Sequence, residues 1–188
     1  MNFSFVDMKT PRNVARRNGR FAGLMENGGE ALKLTCSIFR CTVIALLSVF
    51  AVGCAQVPLQ DSAASDAAKR FSEPTEGMAG LYIYRDSSFG GALKKDIWID
   101  NECLGESAPN TFFYTLVSGD EPHTLSTESE FSPNNLSITP ASGENYFIRQ
   151  YIKMGVFVGG ANLEEVEPEK GKLAVLKLNL AKSGSCSR

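Results

Sequence analysis

The chain has 188 residues, 43% of them apolar and 21% charged, the balance of a globular protein with about one domain and flanking segments. Its 19 Lys and Arg against 21 Asp and Glu give a formal net charge of −2, which excludes the basic surface that phosphate backbones require, so no nucleic-acid partner is expected. A single histidine, His123, leaves little material for histidine-based catalysis or metal binding, and no metal or cofactor is expected.

Charge is unevenly placed. Residues 1–53 carry seven Lys or Arg against three Asp or Glu, and the remainder carries 12 against 18. A basic front on an acidic body reads as a targeting segment. Residues 41–52 (CTVIALLSVFAV) form an uncharged apolar run directly after Arg40. It is too short for a membrane span, which needs ~20 residues. It has the length of a signal-peptide core, roughly 7–15 residues. The run stops at Gly53-Cys54.

The tetrad Ala51-Val52-Gly53-Cys54 resembles a bacterial lipobox, although Ala51 stands where leucine is usual. The resemblance implies removal of residues 1–53 and lipidation of Cys54, whose several acyl chains give stable anchoring. Ala55 in place of aspartate implies the outer membrane, with the domain facing the periplasm. Residues 1–39 are long for the front of a signal peptide, and Met25 is an alternative start.

Residues 54–76 are rich in Ala, Ser, Asp and Pro and read as a flexible tether holding the domain off the membrane. The domain then spans 77–181, with 182–188 as a tail. Alternating apolar segments predict short strands over 81–84, 96–99, 103–105, 112–117, 123–128, 136–139 and 146–152, with turn residues between them. Asp100-Asn101 and 118–120 are turns. The pattern predicts an all-β or β-rich α+β protein, an antiparallel β-sandwich. In the segment 168–181, Leu173, Leu176 and Leu180 fit one face of a helix, whereas Leu176, Leu178 and Leu180 fit a strand. Pro168 at the first turn, with Glu167 and Glu169 beside it, favours a short C-terminal helix.

The stretches GLYIYR (80–85), IWIDNECLGES (97–107), NTFFY (110–114), 123–128 and YFIRQYIKMGVFVGGA (146–161) are similar to the bacterial lipoprotein family catalogued as domain of unknown function 2846. The resemblance implies an envelope lipoprotein and carries no reaction with it.

Five cysteines are present. Cys36 and Cys41 fall in the leader and Cys54 is the lipidation site. Cys103 and Cys186 remain, and in an oxidising compartment the pair predicts a disulfide. No G-x-S-x-G or Cys–His signature occurs, so His123 reads as structural and no catalytic residue is assigned. The acids Glu164, Glu165, Glu167 and Glu169 read as a solvated face at a helix start. Asp96, Asp100 and Glu102 are the nearest thing to a carboxylate pair and support the alternative of a periplasmic hydrolase. Tyr82, Tyr84 and Trp98 read as core. The segment GVFVGG (155–160) has glycines suited to a bulge or turn. It also offers Val156, Phe157 and Val158 as an apolar loop, which with Phe89 at one end of the sandwich forms a candidate binding loop. The expectation is a membrane-anchored, non-catalytic binding or structural module contacting an envelope protein or glycan.

Overall fold

The structure, a computed structural model, describes residues 53–187. The readings on the leader, the Met25 start, Cys36 and Cys41 lie outside the described residues. In chain order the elements are α1 (Ser62–Ala68), β1 (Met78–Arg85), β2 (Lys95–Ile99), β3 (Glu102–Ser107), β4 (Thr111–Ser118), β5 (His123–Thr127), β6 (Asn134–Ile138), β7 (Asn145–Lys153), β8 (Gly160–Val166), α2 (Pro168–Val175) and β9 (Asn179–Leu180). Two sheets form, in the orders β8-β7-β1-β4-β9 and β3-β2-β5-β6. They are the two halves of the expected sandwich. The four-stranded sheet is antiparallel throughout, whereas β1 with β7 and β4 with β9 are parallel pairs.

Between the sheets lie Leu81, Ile83, Ile97, Phe113, Leu125 and Ile148. The alternate residues of the five-stranded sheet, Tyr82, Tyr84, Phe112 and Phe147, pack on the opposite face against Val175 and Leu178 of the α2 region. The central sheet is therefore covered on both faces. This is why β1 reads LYIY without polar alternation and is buried along nearly its whole length. The four-stranded sheet has one wet face, and β5 alternates buried and half-buried residues accordingly. Asp100 and Asn101 both take positive φ, at 52° and 68°, the geometry of a two-residue hairpin whose twist matches β2 and β3.

One buried polar chain crosses the sandwich. The fully buried Gln150 of β7 donates from Nε2 to Thr127 Oγ1 at 2.7 Å, and Thr127 donates to the Asp96 carbonyl at 2.9 Å. The Ser107 hydroxyl reaches both the Gln150 amide oxygen and the Lys95 carbonyl and donates to one at a time. Satisfied in this way, the chain fixes the register of one sheet over the other.

The expected tether is folded. Asp61 caps α1 by accepting from Ala64 N at 2.8 Å, and Leu59 bridges to Ala181. The segment's one aromatic side chain packs on the sheet. Phe71 inserts its ring 5.3 Å from Tyr82 and 5.7 Å from Phe147, and adopts φ 50° to do so. The Tyr82 hydroxyl donates to Ala68 O at 2.8 Å. Composition alone made the stretch look polar; the partly buried Phe71, with Val57 and Ala68 and a few directed hydrogen bonds, docks it.

Three further readings change. The C-terminal helix stops at Val175, and β9 pairs with β4 where the helix was expected to continue to 181. Leu173 and the capping Leu176, two of the three leucines that fit one helix face, are exposed; the buried helix residues are Gly171 and Val175. Residues 160–166, read as a loop and an acidic helix start, are strand β8, in which Glu164 stands opposite Arg149.

Gly171 explains how α2 approaches the sheet. A Cβ there would stand 2.3 Å from Phe147 Cβ. Alanine at 171 gains at most about 1 kcal/mol of helix propensity but overpacks the contact, which costs roughly 1–3 kcal/mol or more. Gly171→Ala is expected to lower the urea midpoint; a raised midpoint would show that α2 shifts freely.

Candidate functional site

The strand register places one set of loops at one end. Arg85, Thr111, Lys153 and Gly160 are paired neighbours at that end of the five-stranded sheet. Lys95, Ser107, Thr127 and Asn134 mark it on the other sheet. The loops 86–94, 108–110, 128–133 and 154–159 therefore project together. The expected neighbours do meet: Ile152 and Leu93 side chains close over Gly90 and Gly159, joining the Phe89 loop to the 154–159 loop. Phe89, Phe131, Met154, Val156, Phe157 and Val158 are exposed here, Phe157 by 83% and Phe131 by 79%. Phe131 and Met154 were not singled out in the sequence. Their signal is topological, since only the register of β5–β6 and β7–β8 brings them beside Phe157.

Both main loops are braced from within. The fully buried Arg85 donates from Nη1 to Leu93 O at 2.7 Å and from Nη2 to Gly90 O at 2.8 Å and Phe89 O at 3.3 Å. Burial draws its proton affinity below the usual arginine value, yet a guanidinium keeps its charge in proteins. Glu130 braces the second loop, its carboxylate accepting the backbone N–H groups of Val156 (2.6 Å), Phe157 and Val158 (3.2 Å). Desolvation works against the charge, but the three donors prevail and hold this carboxyl below the ordinary glutamate range.

Cys54 is exposed and borders the same end. It lines a hollow with Ser88, Gly91, Pro109 and Asn110, and Ala55 N donates to Gly91 O at 2.8 Å. The first described residues are thus hydrogen-bonded to the loop that carries Phe89.

A second candidate surface lies on the wet face of the four-stranded sheet. Trp98, expected in the core, is half-exposed because Ile97 takes the inward position beside it. Trp98, Ser126 and Asn135 occupy neighbouring register positions across β2, β5 and β6. They line an open cleft of about 670 Å³ with Asn101, Glu128 and Phe131.

The disulfide joins Cys103 and Cys186, with Cα atoms 5.9 Å apart and a sequence separation of 83. It holds the tail on the sandwich. Gly184 N donates to Leu104 O at 3.1 Å, and Ser187 donates from its amide and its hydroxyl to Asp96 Oδ2 at 2.8 and 2.9 Å.

The family described as "Protein of unknown function (DUF2846)" matches residues 75–161. An uncharacterized protein of Haemophilus influenzae is 58% identical over 130 residues, covering 69% of this chain and 77% of the relative. The chain belongs to the DUF2846 family. No solved structure matches. The DUF2846 match runs from the entry to β1 into the start of β8. It therefore contains Arg85, Glu130 and the exposed apolar loops, and leaves Cys54, α2 and Cys186 outside.

In this DUF2846 member His123, Asp100 and Asp96 are bonded internally. At the opposite end from Cys54, His123 Nδ1 lies 2.6 Å from Asp100 Oδ2 and Nε2 lies 2.9 Å from Ser118 O. Asp100 Oδ1 also accepts Thr124 N at 2.8 Å. Asp96 is turned inward to the tail, while Asp100 is turned to His123, so these two acids do not act together. Burial lowers the affinity of His123 for a proton, but the Asp100 hydrogen bond, the Ser118 carbonyl and the charges of Asp100 and Glu121 outweigh it and raise the imidazole above its ordinary value. Asp100 is correspondingly depressed, chiefly by the His123 hydrogen bond.

The sign of the linkage follows. A raised imidazole contributes stability in full below its unfolded value of about 6.5 and loses it as pH rises through the folded value. The depressed Asp100 contributes above its unfolded value and loses its share as pH falls through the folded one. The urea midpoint is therefore expected to fall as pH rises past the imidazole range, and His123→Asn is expected to flatten that fall. An unchanged pH profile in the variant would remove the charged pair from the account.

Proposed function

We propose that the protein is a bacterial envelope lipoprotein, anchored through acyl chains on Cys54, that acts as a non-catalytic binding or structural module. The observation that carries the reading is the position of Cys54, exposed at the entry to the folded unit and directly after an uncharged run of signal-core length. The outer membrane, with the domain in the periplasm, is the address that Ala55 favours. The cleft over Trp98 is the surface for an envelope partner. Its aromatic plate is bordered by hydroxyl, amide and carboxylate groups, a chemistry suited to a glycan or to a polar protein surface. Commitment of His123, Asp100 and Asp96 to internal bonds supports the non-catalytic assignment.

The test is metabolic labelling of cells with a clickable fatty acid. Labelled wild-type protein should sediment with membranes, and Cys54→Ser should lose both label and sedimentation. Unlabelled wild-type protein, or label retained by Cys54→Ser, would overturn the anchor.

A further inference from the structure

The folded state of residues 55–76 bears on where the domain sits. A tether would let it float away from the bilayer. Instead Ala55 is hydrogen-bonded to Gly91, one residue after Cys54, so an acyl chain on Cys54 leaves the molecule beside the Phe89 loop. The loops of that end carry six of the exposed large apolar side chains: Phe89, Phe131, Met154, Val156, Phe157 and Val158. Exposed Lys153 and Lys177 stand at the same end, and Lys94 there pairs with Glu106 at 3.1 Å. Arg85 and Glu130 hold the two principal loops in shape from behind, so the apolar tips are presented by a rigid support.

We propose that this end is a bilayer-docking face: the Phe89 and 154–159 loops, with Phe131, sit in the headgroup and upper acyl region of the membrane that holds Cys54. The proposal rests on the anchor reading and adds an orientation to it. The anchored cysteine and the apolar tips lie on one end, so a bilayer is the one occupant that the chain itself brings to them. Apolar side chains at an interface bury themselves roughly 5–10 Å into the headgroup–acyl boundary, and lysines at the rim meet anionic headgroups. The orientation turns the Phe131 edge of the Trp98 cleft toward the lipid and its Asn101 edge away from it. It also places the His123 end farthest from the lipid.

Trp98 is the sole tryptophan and serves as an internal reference. The matured protein purified from envelopes is reconstituted into phosphatidylethanolamine–phosphatidylglycerol vesicles containing lipids brominated near the top of the acyl chains. Phe157→Trp and Phe89→Trp, each in a Trp98→Phe background, probe the loops; both sites are exposed, so the fold tolerates the change. The expected result is that both loop tryptophans shift to the blue and lose most of their emission, while Trp98 in the unsubstituted protein is quenched less than either. Acylated, vesicle-bound protein whose loop tryptophans are not quenched would overturn the docking face and leave the anchor standing, with the loops then meeting a second copy or another protein. A sample whose mass shows no acyl chains would overturn both.

Discussion

Removing the disulfide by Cys103→Ser with Cys186→Ser is expected to cost about 4.5 kcal/mol, the loop-closure value for the 83-residue separation. The crosslink acts on the unfolded chain by closing most of the domain into one loop. In the folded chain it seats the tail, where Gly184 bonds Leu104 and Ser187 bonds the buried Asp96. Loss of the link therefore also frees the tail to leave Asp96. Urea unfolding with and without reductant measures the effect: the oxidised wild type should unfold at markedly higher urea, and reductant should bring it to the level of the double variant. Coincident wild-type curves in the two conditions would show that the crosslink contributes nothing.

The second large effect is at Arg85. The side chain is fully buried, and backbone carbonyls of the 86–94 loop, not a carboxylate, receive its guanidinium. Hydrogen bonds to a charged group contribute about 1.5–3 kcal/mol each, and the burial of the charge offsets part of that. Arg85→Ala removes the bonds and leaves a cavity, for an expected loss of about 3 kcal/mol. Arg85→Met keeps much of the volume and is expected to cost less. Both variants should lose amide-exchange protection across 86–94, because the guanidinium ties three of the loop's carbonyls together and the Leu93–Gly90 turn bond at 2.8 Å is then left without it. Protection retained in both would mean that the loop holds itself and that Arg85 acts by volume alone.

The sandwich was legible because its strands obey period two, and because LYIY and YFI mark strands buried on both faces. The Asp100-Asn101 turn was legible because those residue types tolerate positive φ. Strand β8 was not, since its glutamates make sense only once the register sets Glu164 against Arg149, which also bonds Asp86 at 2.9 Å. The docking of 55–76 uses Phe71, Val57 and Ala68, scattered apolar side chains in a polar segment, and no local pattern announces it. Trp98 misled for the opposite reason: aromaticity suggested burial, whereas alternation with Ile97 decides which of the two faces outward. The apolar end was half legible. Phe89 and residues 156–158 stood out by composition, whereas Phe131, Met154 and the supports Arg85 and Glu130 needed the topology.

These features join in one arrangement. The sheet order gathers the apolar loops at the end where the chain enters the fold, and Arg85 and Glu130 keep them in shape. The disulfide and the His123–Asp100 pair secure the tail and the far end.

The measurement that bears most directly on this arrangement is the intact mass of the protein purified from envelopes, taken with and without reductant. The expected mass is that of residues 54–188 carrying acyl chains on Cys54, with the mass of two hydrogens gained when Cys103–Cys186 is reduced. A mass that retains residues before Cys54, or that lacks acyl chains, would contradict it and detach the fold from the membrane.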